Sequence, residues 1–459
     1  MTKPIDTPLY AALNDVINKD FSRFHMPGHK GCDRSGLFGE VLRYDFTEVD
    51  GTDSLYHASE AILRSEQRIA AYYGAKRSLF STQGSTLCIQ TMLALVRGRG
   101  KTLVIARGAH VAAANAAALL NFDLHWVYPD VNTKTGVPLP VTPQQIANAL
   151  AGGEEVAAVY VTSPSYYGVL TDISGIARVC KSYGVPLIVD SAHGAHLKAS
   201  GLPDPIAQGA ALCAQSAHKT LPVITGGAFL HIADEQFVCG AKEEMSLFGS
   251  TSPSYLIMLS LDACASYLEA DANAEFSALR TRIQLLEQLA LSQGFTQIFS
   301  DDVARDDTRL CLCAADLGYT GAQLVAHLAH YAIEPEYAGD NTVVLLASPA
   351  NTERDYERLS KAIIGIVPTG ITVASVPKPV QPVQAIPPHK ALFSKRECVP
   401  LAEAAGRIAA RNQSSCPPGV PVVLCGELIT PEAQGQMHHY GIESVWVVRR
   451  PEELTEKGQ

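Results

Sequence analysis

Two short apolar runs with a helical stretch between them constrain this chain more than any other feature. EVAAVYVT (Glu155 to Thr162) and VPLIVD (Val185 to Asp190) are too short for helices and carry the β-branched residues of buried strands. Between them, DISGIARVCKSYG puts Ile173, Ile176, Ala177 and Cys180 on one helical face and stops at Gly184, a suitable C-cap. Strand, helix and strand in that order build a parallel pair. KTLVIA (Lys101 to Ala106) supplies a further strand. The expected class is therefore α/β, with a mainly parallel sheet in the major domain.

A parallel sheet buries both faces, and 47% hydrophobic residues against 18% charged supply the apolar area. At 459 residues the chain exceeds one ordinary core. We expect an N-terminal segment and major domain over 1–254, then a helical connection and small α/β or α+β domain over 255–375. A Pro-rich crossing segment and a C-terminal module follow over 376–459. In the second part TRLCLCAA and TVVLLAS read as strands around the helical GAQLVAHLAHYA, after the helical SPSYLIMLSLDACASYLEA. VPKPVQPVQAIPPHK (Val376 to Lys390) cannot continue a helix or a central strand, whereas GVPVVLCGELI and ESVWVV are strand candidates.

A formal net charge of −10 without a lysine/arginine block argues against nucleic-acid binding and favours a cationic small molecule. The 11 cysteines are scattered and form no Cys-x-x-Cys ribbon, so no metal is expected. The N-terminus has no apolar signal core and no window has the length of a membrane span, so we expect a cytoplasmic protein with reduced thiols.

Four segments carry residues suited to chemistry. Asp190 ends a buried strand, where open α/β sheets bind ligands, although a helix-capping aspartate is equally common there. Asp190, His193 and His196 also have a spacing that admits a metal, which Gly194 between the histidines weakens. In FSTQGSTLCIQTMLALV an apolar run leads through Gly84, Ser85 and Thr86 into a helix whose free N–H groups suit a phosphate; a plain N-cap reads the same way. His110 follows a strand and is able to stack on a flat ring, though alone it is more often a core or surface histidine. In SAHKTLPVITGGAFLH, Lys219 stands among small and apolar residues, the setting of a snorkelling surface lysine, a phosphate ligand or an amine that burial makes nucleophilic. A phosphate cradle, a strand-end carboxylate, a stacking imidazole and such a lysine together form the set that holds pyridoxal phosphate. Lys219 then bonds the cofactor and Asp190 partners its pyridine nitrogen.

FHMPGHKG, SPSYYGVLTDI, VDSAHGAHL, SAHKTLPVITGGAFLH, STSPSYLIMLSLD and CPPGVPVVLCGELI occur in this order along the chain. By these segments the sequence resembles the pyridoxal-phosphate-dependent ornithine/lysine/arginine decarboxylase family, of aminotransferase-like fold type I. The resemblance implies that Ser216 and His218, with Ser85 and Thr86, bind the phosphate, and that His110 stacks on the ring. It implies further that Ala192 packs near the other face, that His193 lies beside the cofactor, and that Ser250 and Thr251 reach the phosphate of the neighbouring subunit in a homodimer. The chain begins just before FHMPGHKG, without the family's receiver-like wing domain, so larger wing-mediated assemblies are not expected. Cys416 and Cys425 replace residues usual in the family's C-terminal segment, while Glu427 remains. The implied reaction is α-decarboxylation of a basic L-amino acid, with Lys219 or His218 returning a proton to Cα. A transaminase or lyase on the same cofactor, a non-catalytic regulator and a metal hydrolase are the rival readings. Asp53, Glu334, Glu336 and Glu427 are candidates to meet the substrate's distal cation, though each also reads as an ordinary solvated carboxylate.

Overall fold

Alternate residues of the apolar runs point to opposite sides and both sides are covered, which is why the runs are continuous rather than alternating. Leu103, Ile105, Ala158, Tyr160 and Ile188 join one core, and Val104, Val159, Val161, Leu187 and Val189 another. The protein is described by a computed structural model over residues 7–300, 302–376, 379–414 and 421–450. Its main sheet has seven strands: β1 (Arg77–Ser81), β2 (Thr102–Ala106), β3 (Asp123–Val127), β4 (Val156–Thr162), β5 (Leu187–Asp190), β6 (Leu212–Gln215) and β7 (Ala228–Ile232). Their order in space is β1-β7-β6-β5-β4-β2-β3. β7 runs against both neighbours, so β1 and β6 share the direction of the remaining, mutually parallel strands.

The helices of this part are α1 (Pro8–Asn18), α2 (Ala61–Tyr73), α3 (Gly84–Val96), α4 (Val111–Leu119), α5 (Pro143–Leu150), α6 (Ile173–Ser182), α7 (Ala217–Thr220) and α8 (Ala241–Ser246). α3, α4 and α8 cover one face, and α5 and α6 the other. The crossover helix α6 starts where Asp172 accepts the Gly175 N–H at 2.8 Å, and Gly184 just beyond its end takes φ +68°, as a C′ glycine does. Two long helices follow, α9 (Tyr255–Ala270) and α10 (Ala272–Ser292). Buried Asp262 of α9 accepts the N–H groups of Leu9 and Tyr10 and the Ser65 hydroxyl, so a carboxylate from the middle of the chain caps α1.

A three-stranded antiparallel sheet, β8 (Arg309–Cys313), β9 (Tyr337–Ala338) and β10 (Thr342–Leu346), takes the order β8-β10-β9, with α11 (Gly321–Ala329) and α12 (Glu353–Ile364). The Pro-rich stretch crosses from here, but its last residues begin α13 (Pro388–Phe393), because a proline at the first helical position gives up no needed donor. Beyond it β11 (Arg396–Pro400) pairs with β14 (Ser444–Val448) and β12 (Gln413–Ser414) with β13 (Pro421–Val423). α14 (Pro431–His439) closes a core of Leu401, Val423, Ile429, Met437 and Val447. Cys416 lies outside the described residues. Among the described residues no helix is long and apolar enough to cross a membrane.

Candidate active site

The strand direction brings the carboxyl ends of β1, β2, β5 and β6 to one edge of the sheet, and the singled-out residues lie in the loops that leave it. Asp190 is the last residue of β5 and is 2% exposed. Its Oδ1 accepts the Ala192 N–H at 3.1 Å and its Oδ2 the Tyr160 hydroxyl at 3.0 Å. Tyr160 is a residue the sequence reading missed. A phenol in the middle of a fully buried strand requires a partner, and that was the available signal.

β6 leads through Ser216 into the single turn α7, which presents Lys219. Its Nζ lies 2.9 Å from Nε2 of His193. Burial pushes the Lys219 amine below its ordinary range; Asp190 and Glu336 oppose the shift and Arg309 adds to it. Burial also pushes the His193 imidazole well down, so the ring is neutral, and its Nε2 shares a hydrogen bond with the amine. Its Nδ1 is buried with no partner.

Gly84 opens α3 in the left-handed region, φ +68°, and its N–H donates to Gly226 O at 2.7 Å. A Cβ there would stand 4.0 Å from Cε1 of His218, so the α3 N-terminus and His218 share one corner. His218 Nδ1 donates to Gly227 O at 2.9 Å. Half-buried Ser85 and exposed Thr86 follow Gly84 on the first turn, where helical N–H groups lack internal partners. His110 caps α4 by accepting the Ala112 N–H on Nδ1 at 3.2 Å, and the residue is exposed. Asp190 and Lys219 lie near enough to act on its charge in opposite senses. The structure does not bring Ser250 and Thr251 to this group; they form an exposed turn ahead of α9.

The metal reading separates into different partners. His196 Nε2 meets Asp306 at 3.0 Å and Thr308 at 2.9 Å, while His193 faces Lys219. Among the described residues no cluster of three ligands exists. Burial raises the Asp306 carboxyl, but His196 and Arg309 outweigh it and hold the group below the usual carboxylate range.

The distal carboxylates also sort themselves. Asp53 is taken up by backbone N–H groups, accepting those of Ser54, Ser59, Glu60 and Ile62 around the start of α2. Glu427 is not a solvated carboxylate, because it is wholly buried against Arg107. Glu334 is exposed and lines a cavity of about 400 Å³. Glu336 stands nearest the lysine: its Oε1 accepts the Tyr166 hydroxyl at 2.6 Å, and the Tyr166 ring meets the His193 ring edge-on at 4.8 Å.

A family model described as Orn/Lys/Arg decarboxylase, major domain, matches residues 7–298, and the C-terminal domain of the same family matches 372–442. The chain belongs to the Orn/Lys/Arg decarboxylase family. Uncharacterized protein YaaO of Bacillus subtilis is 32% identical over 447 residues, covering 94% of this chain and 93% of its own. An arginine decarboxylase of Bacillus anthracis is 29% identical over 477 residues, covering 98% and 96%. The structure of the E. coli constitutive lysine decarboxylase matches 97% of this chain and 82% of its own at TM-score 0.78 and 18% identity, which speaks for the fold. The Orn/Lys/Arg decarboxylases depend on pyridoxal phosphate. The present residues fit that group. An amine whose proton affinity burial lowers, a buried carboxylate and a helix N-terminus suit it, and the unpartnered His193 Nδ1 calls for a partner from outside the chain.

Proposed function

We propose that this protein removes the α-carboxylate of a basic L-amino acid with pyridoxal phosphate, giving the amine and carbon dioxide. The observation that carries the proposal is the Lys219 amine, its proton affinity lowered by burial, 2.9 Å from His193 and within electrostatic reach of the buried Asp190 carboxylate. When bound, the cofactor supplies an electron sink for the bond that breaks. Asp190 would hold a proton at its ring nitrogen, His110 and Ala192 would pack against it, and Gly84, Ser85, Thr86, Ser216 and His218 would bind its phosphate. Lys219, or His218 from the same turn, returns a proton to Cα. His193 keeps the amine in place by a hydrogen bond at Nε2.

At the distal end Glu336 and the Tyr166 ring offer a charge and an aromatic edge to a guanidinium or ammonium. The near-full-length Bacillus anthracis relative is named for arginine, which makes arginine the first substrate to test. The protein purified with cofactor should release one carbon dioxide per amine from arginine, lysine or ornithine; a keto acid product would indicate transamination. Glu336→Gln should raise KM about tenfold or more with kcat little changed, the cost of one charge-assisted hydrogen bond. An unchanged KM removes Glu336 from the distal site.

We propose further that the chain divides at residues 254 and 375 and works in the cytoplasm, in polyamine formation, as a homodimer with shared sites. Phe21, Phe24 and Leu37 of the FHMPGHKG region are 74%, 96% and 81% exposed, an apolar surface that a second copy would cover. Ser250 and Thr251 then complete the partner's phosphate site. Mixed dimers test this: Lys219→Ala subunits combined with subunits carrying both Ser250→Ala and Thr251→Ala should regain activity that neither homodimer has. A fully active monomer overturns it.

A further inference from the structure

His110 lies on the short turn between β2 and α4, and the C-terminal module grips that turn on both sides. Ahead of it, Arg107 is 8% exposed and Glu427 fully buried; their two hydrogen bonds measure 2.5 and 2.9 Å. Glu427 also accepts the Leu424 N–H at 2.7 Å, and Arg107 donates to Val422 O at 3.1 Å, so the pair is tied into the strand end of β13. The guanidinium lies over the Trp126 ring at 4.8 Å. Behind His110, the Asn412 amide donates to Asn115 of α4 at 2.8 Å while its oxygen accepts the Cys425 N–H at 2.7 Å. α13 packs on α4 as well. The imidazole itself has one internal bond, to the Ala112 N–H.

We propose that the C-terminal module is a clamp for His110, with Glu427 and Asn412 as positioning residues that act through Arg107 and α4. The inference rests on the reading that His110 stacks on the cofactor ring. A guanidinium buried without a counter-charge is costly, so once Glu427 is neutral the segment 107–110 shifts to hydrate Arg107. A stacking contact depends on ring offset and plane, and such a shift weakens it.

The test measures the dissociation constant of pyridoxal phosphate and the visible circular dichroism of the bound cofactor. The variants are Glu427→Gln, Asn412→Ala, His110→Ala and the doubles with His110→Ala. Each single change at Glu427 or Asn412 should raise the constant about fivefold or more, within the range of coupling between sites. Neither should add to the effect of His110→Ala, because the clamp has nothing left to position. Asn412 is half-buried at the surface of the contact, so its cycle decides the matter if Glu427→Gln fails to fold. Additive effects, or unchanged constants in a protein whose wild type binds the cofactor, overturn the clamp while leaving the decarboxylase reading in place. A wild type that takes up no pyridoxal phosphate brings down that reading and the clamp with it.

Discussion

Lys219→Ala should abolish borohydride-trapped labelling of the chain by pyridoxal phosphate and lower turnover about ten-thousandfold, the upper range for a positioned proton-transfer group. The expectation follows from geometry. Lys219 is carried on a single turn whose first residue follows a buried strand, and the neutral His193 holds its amine by a 2.9 Å hydrogen bond. Burial lowers the amine's proton affinity, so the neutral, bond-forming form is reached at a lower pH than for an exposed lysine. The residues proposed to bind the phosphate stay in place in this variant, so the cofactor should still associate reversibly. Labelling that persists on another lysine would remove Lys219 from its role.

The second large effect is expected at Asp190. Its two oxygens each accept one donor, the Ala192 N–H and the Tyr160 hydroxyl. An amide has a single oxygen for those two donors, and its nitrogen end cannot hold a proton on a pyridine ring. Asp190→Asn should therefore bind cofactor and yet lose roughly a hundredfold to a thousandfold in turnover, the scale for removing one preorganised electrostatic group. In the cofactor-free protein the unsatisfied donor should cost about 1–3 kcal/mol in a urea unfolding measurement. Near-normal turnover would show that the carboxylate does not govern the ring.

The strands at 102–106, 156–162 and 187–190 are legible because a fully buried parallel strand is a dense local signal. Lys219, Asp190 and His110, each ambiguous alone, were read together by their company, and the structure brings them within electrostatic reach of one another. What stayed hidden depends on packing between distant segments. Asp53 and Glu427 look alike as carboxylates in a sequence, but one caps a loop of its own neighbours and the other pairs with Arg107, 320 residues away. Tyr160 meets Asp190 across 30 residues because β4 and β5 are adjacent in the sheet; the strand-helix-strand pattern gives that pairing, but no local pattern encodes the register that sets Thr162 opposite Asp190. Nor does any local pattern encode the reversal of β7, since its residues are as apolar as those of its parallel neighbours.

That reversal has a consequence for biosynthesis. β1 is the first strand to leave the ribosome, yet within the sheet its sole partner is β7, with Ser81 opposite Ala228. Gly84, which opens the corner proposed for the phosphate, likewise depends on the carbonyl of Gly226. At ordinary translation speeds the edge strand therefore waits on the order of ten seconds for its mate, a β-rich segment with free hydrogen-bonding groups. A nascent chain in that interval needs shielding from its own kind, and the cofactor cannot help to shield it, because the corner that would hold the phosphate does not yet exist.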